Sequence, residues 1–229
     1  MDKEDLARKI RWTEDHALSV FLGLMIFGLF LLIPGSPAEE RGPLMGVFLS
    51  LLFLSATLVA VGHYLLRGLV WTLAVIAVCS HWTDIAVPHI VVGTVRLSSA
   101  LLLLLLITGS LVIRTFRHGN ISLHRVRGAI AIYLLLGLIW AFAYGLLDLH
   151  VEHAFTESHS RLTADTLDLK ELVYFSFVTL TTVGYGDIAP QAPVVRSLAV
   201  LEALAGQIYL AVTVARLVAM ELADRTLGR

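Results

Sequence analysis

Apolar stretches long enough to cross a bilayer alternate along this chain with short polar connections. Six can be marked, near 17–33, 44–66, 68–87, 90–113, 129–149 and 194–220. Each approaches the roughly 20 residues that a helix needs to cross about 30 Å of hydrocarbon. The first stops at Pro34-Gly35-Ser36-Pro37, Pro88 parts the third from the fourth, and the fourth holds the run Leu101 to Leu106. A further apolar stretch, 169–180, is too short to span and predicts a re-entrant helix. Asp168 with Glu171 three residues on reads as a capping box that starts it. The pattern predicts an all-α membrane protein. Six transmembrane helices are expected, with the re-entrant helix and a loop between the fifth and sixth.

Composition supports the bilayer. Of 229 residues, 57% are hydrophobic and only 15% charged, against about 25% charged in soluble domains. Mean hydropathy is +0.81. The net charge of −1 gives no field that favours nucleic acid. The single cysteine, Cys79, has no partner for a disulfide or a CxxC site and reads as a packing residue. The first apolar run lacks a small-residue cleavage site and reads as a retained anchor. No Ser-His-Asp, HExxH or Walker-type motif is present, so the sequence predicts no enzyme.

Charge sets an expected orientation. Lys3, Arg8, Lys9 and Arg11, then Arg67, then Arg114, Arg117, Arg125 and Arg127, then Arg225 and Arg229 fall on one side of six crossings. The opposite loops hold Arg41, Arg161 and Lys170 among a larger number of acidic residues. The positive-inside rule puts both termini in the cytoplasm of a multi-pass protein of the cell (plasma or inner) membrane. Arg114, Arg117, Arg125 and Arg127 are also candidates for contact with anionic lipid.

The candidate chemistry follows the short helix directly: Thr181-Thr182-Val183-Gly184-Tyr185-Gly186-Asp187. Non-helical backbone at membrane depth is tolerated only where protein shields it or where it lines water. Gly184 and Gly186 permit backbone angles that a Cβ penalises. Successive carbonyls can then face one axis and replace a cation's hydration shell. The Thr182 hydroxyl can add an inner oxygen. A phosphate loop is the weak rival, because the Lys and soluble helix it needs are missing.

These residues resemble the potassium-channel signature, a pore helix followed by TVGYG and Asp. The resemblance implies potassium sites built from the carbonyls of Thr182, Val183, Gly184 and Tyr185, with K+ ions held there and no other metal. Thr181, Gly186 and Asp187 would support the filter, and Val183 and Tyr185 would brace it from behind. It places Tyr174 and Phe175 where the family usually has tryptophans, with Tyr174 able to bond Asp187 and Phe175 not. Val178 stands where some bacterial members carry a Glu, so inactivation based on that Glu is expected to be absent. One motif per chain implies a homotetramer, with helix C-termini aimed at a central cavity. Gly206 lies where members often have an inner-helix hinge. A small residue at a helix contact explains it equally well.

The resemblance divides the chain into an N-terminal four-helix transmembrane domain (1–127), a pore domain (128–221) and a short cytoplasmic tail (222–229). The fourth segment lacks the every-third-residue cations of a voltage sensor, because no charge lies between Arg96 and Arg114. Steep voltage gating is not expected. Within the sixth segment, Glu202, Gln207 and Arg216 are costly unless they face protein or water. They are candidates for a place near the pore or for bonds between subunits, and Arg216 also for snorkelling to the cytoplasmic interface. His150, His153 and His159 with Glu152 and Glu157 could form a metal or proton sensor, but a solvated loop is the simpler reading. The alternatives to a channel are a potassium uptake transporter component, which usually has several degenerate loops per chain, and a non-conducting membrane sensor or partner.

Overall fold

The computed structural model describes residues 18–29, 46–48, 50–52, 54–55, 64–87, 89–116, 123–157 and 167–226. Helix α1 is Leu18–Phe27, followed by helical pieces at 46–48, 50–52 and 54–55. Then come α2 (Tyr64–Ala86), α3 (Ile90–Thr115), α4 (Leu123–His150), strand β1 (Phe155–Glu157), α5 (Leu169–Leu180), strand β2 (Ile188–Pro190) and α6 (Pro193–Thr226). The expected first and second segments lie partly outside the described residues.

The protein is a mostly helical, multi-pass membrane protein. Among the described residues three helices are long and apolar enough to cross a bilayer: Ile90–Thr115, Arg125–His150 and Pro193–Leu222. They correspond to the expected fourth, fifth and sixth segments. Helix α3 starts at His89, whose Nδ1 accepts the Val91 N–H at 3.2 Å as an N-cap. Two of its serines bond back to their own helix. Ser99 Oγ donates to Val95 O at 2.7 Å and Ser110 Oγ to Leu106 O at 2.8 Å. Such bonds let small polar residues sit in an apolar span.

Helix α3 packs against both α2 and α4, and Leu97, Ala100, Leu103, Leu104, Ile107 and Leu111 share one buried cluster with Ala131, Leu135, Leu138 and Phe142. Leu102 and Leu105, from the same leucine run, face outward. The 3.6-residue period thus separates a packed face from a lipid face even where every residue is leucine. In lipid the packed face gains from close contact more than from leaving water. Arg96 of α3 pairs with Asp84 of α2 at 2.9 Å, so the isolated cation of the fourth segment is tied to its neighbour.

The all-α expectation misses one feature. Strands β1 and β2 pair antiparallel, with Phe155 opposite Pro190, Thr156 opposite Ala189 and Glu157 opposite Ile188. Three residues per strand are too few for an alternation signal, and the partners lie far apart in sequence. The pair clasps the stretch leaving α4 to the stretch entering α6, on either side of the short helix.

Candidate functional site

Helix α5 holds the site at its C-terminal end. It begins with the Asp168 backbone N–H donating to Glu171 Oε2 at 2.9 Å, the reach-back half of a capping box. With 12 residues it is too short to span. At the other end the backbone donors of the loop turn back onto the helix. Thr181 N–H donates to Phe177 O at 3.0 Å and Thr182 N–H to Thr179 O at 2.9 Å. Val183 and Gly184 both donate to Val178 O, at 2.9 and 3.3 Å. The carbonyls of Phe177, Val178 and Thr179 are thereby satisfied. The carbonyls of Thr182, Val183, Gly184 and Tyr185 accept no hydrogen bond from the described residues.

Every second residue of the loop is left-handed: Thr182 at φ 59°, Gly184 at φ 58° and Gly186 at φ 76°. The glycines adopt this without penalty. Thr182 does not, and a non-glycine there stores about 1–3 kcal/mol of strain of the kind found at functional sites. Its left-handed backbone is a feature that composition alone does not reveal. The whole run from Thr181 to Asp187 is exposed in the single chain, Tyr185 at 72%.

The outer end is fixed by side chains. The Tyr174 hydroxyl donates to Asp187 Oδ2 at 2.7 Å. That bond, with some desolvation and the aspartate's charge, pushes the Tyr174 phenol up to about 12. Phe175 points the other way and meets Tyr144 and Phe155 edge-on, at 5.1 and 5.2 Å between ring centres. Phe175, which cannot donate a hydrogen bond, thus joins an aromatic cluster with Ile188 and Val195. Arg196 Nε donates to Pro190 O at 3.1 Å and holds the end of β2.

The inner helix grips the site from behind. Helix α6 runs unbroken through Gly206. A Cβ on that residue would run into the Leu180 carbonyl oxygen, so close approach demands the glycine. Gln207 Nε2 donates to Thr182 Oγ1 at 3.2 Å, which brings this residue to the loop's inner end. Glu202 lies where α6 meets α4 and α5. It is wholly buried within its own chain, accepting from the Tyr144 hydroxyl at 2.7 Å and lying 2.6 Å from Ser176 Oγ. Helices α4 and α5 supply the polar partners that a carboxyl in an apolar helix needs. Arg216 likewise finds its partner within the chain. Its Nη2 donates to Phe116 O at 2.6 Å and its guanidinium lies over the Phe116 ring, which caps the end of α3.

The other candidate residues are dispersed. Arg125 Nη1 approaches Met220 Sδ at 3.7 Å, and Arg127 Nη1 donates to Ser19 Oγ at 3.1 Å. Arg114 sits in the last turn of α3, and Arg117 lies outside the described residues. The His150 ring nitrogens engage Leu146 O at 2.8 Å and Thr94 Oγ1 at 3.2 Å. His159 is outside the described residues, and among those described no group of three or more His, Cys, Asp or Glu could hold a metal ion.

A re-entrant helix and carbonyl-rich loop between two long apolar helices define a membrane pore domain. The chain belongs to the ion channel family, whose pattern matches residues 130–222, from α4 through α6. It is 37% identical over 113 residues to Protein LctB of Bacillus caldotenax, covering 49% of this chain and 84% of that relative. It is 41% identical over 86 residues to Protein LctB of Geobacillus stearothermophilus, covering 37% of this chain and 62% of that one. No solved structure matches the chain. The chain is therefore a member of an ion channel family, not an enzyme.

Proposed function

We propose that the chain is the subunit of a potassium-selective channel that conducts passively through a homotetramer. The observation that carries this reading is the backbone of the loop. Left-handed residues alternate at Thr182, Gly184 and Gly186 while the amide hydrogens turn back onto α5. Such alternation rotates successive peptide planes so that the carbonyls of Thr182, Val183, Gly184 and Tyr185 face one side, where they replace a potassium ion's water. K+ is the bound ion, and Thr181, Gly186, Asp187, Tyr174, Phe175 and Val178 support the loop.

The tetramer is supported by what one chain leaves uncovered. Only 17% of the α6 span is buried. Leu201, Leu204, Ile208 and Val212 stand exposed along one face of α6, and Tyr185 of the loop is exposed as well. Copies around an axis cover both. The proposed topology has six spans and cytoplasmic termini in the cell membrane. Residues 1–127 form the N-terminal helical domain, 128–221 the pore domain and 222–229 a tail. The Arg96–Asp84 pair leaves little mobile charge in the field, so gating is weakly voltage-dependent. Anionic lipid is the proposed contact of Arg114, Arg117, Arg125 and Arg127.

Flux from potassium-loaded liposomes tests this, with K+ compared against Na+. The wild type is expected to prefer K+. Gly184→Ala forces an L-residue into left-handed backbone at about 1–2 kcal/mol per copy and is expected to lose the preference. Equal wild-type K+ and Na+ flux overturns the proposal.

A further inference from the structure

Glu202 is a wholly buried carboxyl on the inner helix. Its oxygens lie 2.7 Å from the Tyr144 hydroxyl of α4 and 2.6 Å from the Ser176 hydroxyl of α5. Ser176 Oγ also lies 2.7 Å from the carbonyl oxygen of Gly137. Oxygen pairs this close each hold a proton. The serine has one hydroxyl proton, and a carbonyl has none to give. Tyr144 already directs its own to the carboxyl. The proton between Glu202 and Ser176 therefore belongs to the carboxyl, and the serine's goes to Gly137. A carboxylate would leave Ser176 facing two acceptors with one proton, in a setting where an unmet polar group is costly. The donors run in one direction: Tyr144 to Glu202, Glu202 to Ser176, Ser176 to the Gly137 carbonyl.

The chain of bonds passes through α5, the helix that carries the conducting loop. Ser176 lies on α5 half a turn before Val178, whose carbonyl holds the amides of Val183 and Gly184. Glu202 thus fixes the rotation and depth of the helix that anchors the loop. We infer that Glu202 is a positioning residue for ion selection, acting as a neutral acid through Ser176 and Tyr144. The inference rests on the loop being the selectivity filter, as proposed above.

The full-length chain in liposomes tests it through the K+ over Na+ flux ratio, read for wild type, Glu202→Gln and Glu202→Ala. Glutamine reproduces the neutral acid, since its oxygen accepts from Tyr144 and its amide donates to Ser176. It is expected to keep the ratio within about twofold, while alanine lowers it about tenfold by stranding the Tyr144 hydroxyl and removing the donor to Ser176. Glu202→Gln failing as badly as Glu202→Ala, or Glu202→Ala selecting as well as wild type, overturns the inference. Should Glu202→Ala not assemble, infrared spectroscopy decides. A protonated-carboxyl band is expected in wild type and absent in Glu202→Gln, and its absence from wild type overturns the inference. A wild type that shows the band but no K+ preference sinks the proposed function and leaves the protonated network standing.

Discussion

Gly206→Ala probes the closest approach in the pore domain. The added methyl meets the Leu180 carbonyl oxygen, and Leu180 Cδ1 already stands 3.0 Å from its position. Restoring ordinary contact requires α6 to part from α5 by about an ångström. Two hydrogen bonds flank this point, Glu202 to Ser176 at 2.6 Å and Gln207 to Thr182 at 3.2 Å. That separation stretches both past the ~3.5 Å at which a hydrogen bond ceases to count. Each contributes about 1 kcal/mol net, and overpacking itself costs about 1–3 kcal/mol. Replacing glycine in a helix returns about 1 kcal/mol. The balance is a loss of about 2–4 kcal/mol from a total stability of order 5–15 kcal/mol.

At about 2–4 °C per kcal/mol for a chain of this size, the melting temperature should fall by about 4–16 °C. Circular dichroism melts in detergent, run beside liposome flux, read both consequences. Melting unchanged from wild type would refute the close-approach account. Unchanged melting with altered flux would mark Gly206 as a hinge instead, because a hinge serves motion and not the packed state.

Three other outcomes are expected. Tyr174→Phe removes the bond to Asp187 and should weaken the outer mouth, read as reduced K+ preference in flux; an unaltered preference contradicts that support role. In wild type the Tyr174 phenol is raised to about 12 by that bond from an ordinary value of about 10. Its contribution is therefore whole below about pH 10 and lost as pH climbs through 12, and a tyrosinate absorbance titration should lose one late-titrating group in Tyr174→Phe. Arg96→Gln should leave the conductance–voltage curve nearly unchanged, since one paired charge is worth at most about 2.3 kcal/mol per 100 mV; a steep wild-type curve that flattens in the variant contradicts this.

What was legible in the sequence was local. Asp168 and Glu171 are three residues apart, and the apolar stretch they cap is short, so the bounds of α5 follow from neighbouring residues. The Gly184 and Gly186 backbone follows from residue type. The strand pair was not legible, because Phe155 and Pro190 meet only after α5 has folded back between them. The left-handed Thr182 was also hidden, since nothing in a threonine advertises positive φ. The ion pair of Arg96 with Asp84 joins different helices, and a lone cation in an apolar segment gives no address for its partner.

Glu202 shows why polar residues in a spanning helix are hard to place from sequence. Its cost in hydrocarbon demands polar surroundings, yet water in a pore, a second subunit and a neighbouring helix all meet that demand. The deciding partners lie 58 and 26 residues away, at Tyr144 and Ser176. Neither looks remarkable by itself: a tyrosine among apolar residues and a serine in a short helix. The spacing along α6 did contain a clue. Glu202, Gly206 and Gln207 fall within about one and a half turns, and residues four apart share a helix face. A carboxyl, a glycine and an amide on adjoining parts of one face describe a surface built to meet something polar and close. Helix α5 and its loop are that partner: Ser176 meets the carboxyl, the Leu180 backbone fits against the glycine, and Thr182 receives the amide. The same three contacts span the length from mid-helix to the first left-handed residue of the loop, so the inner helix sets the position of the loop it stands behind.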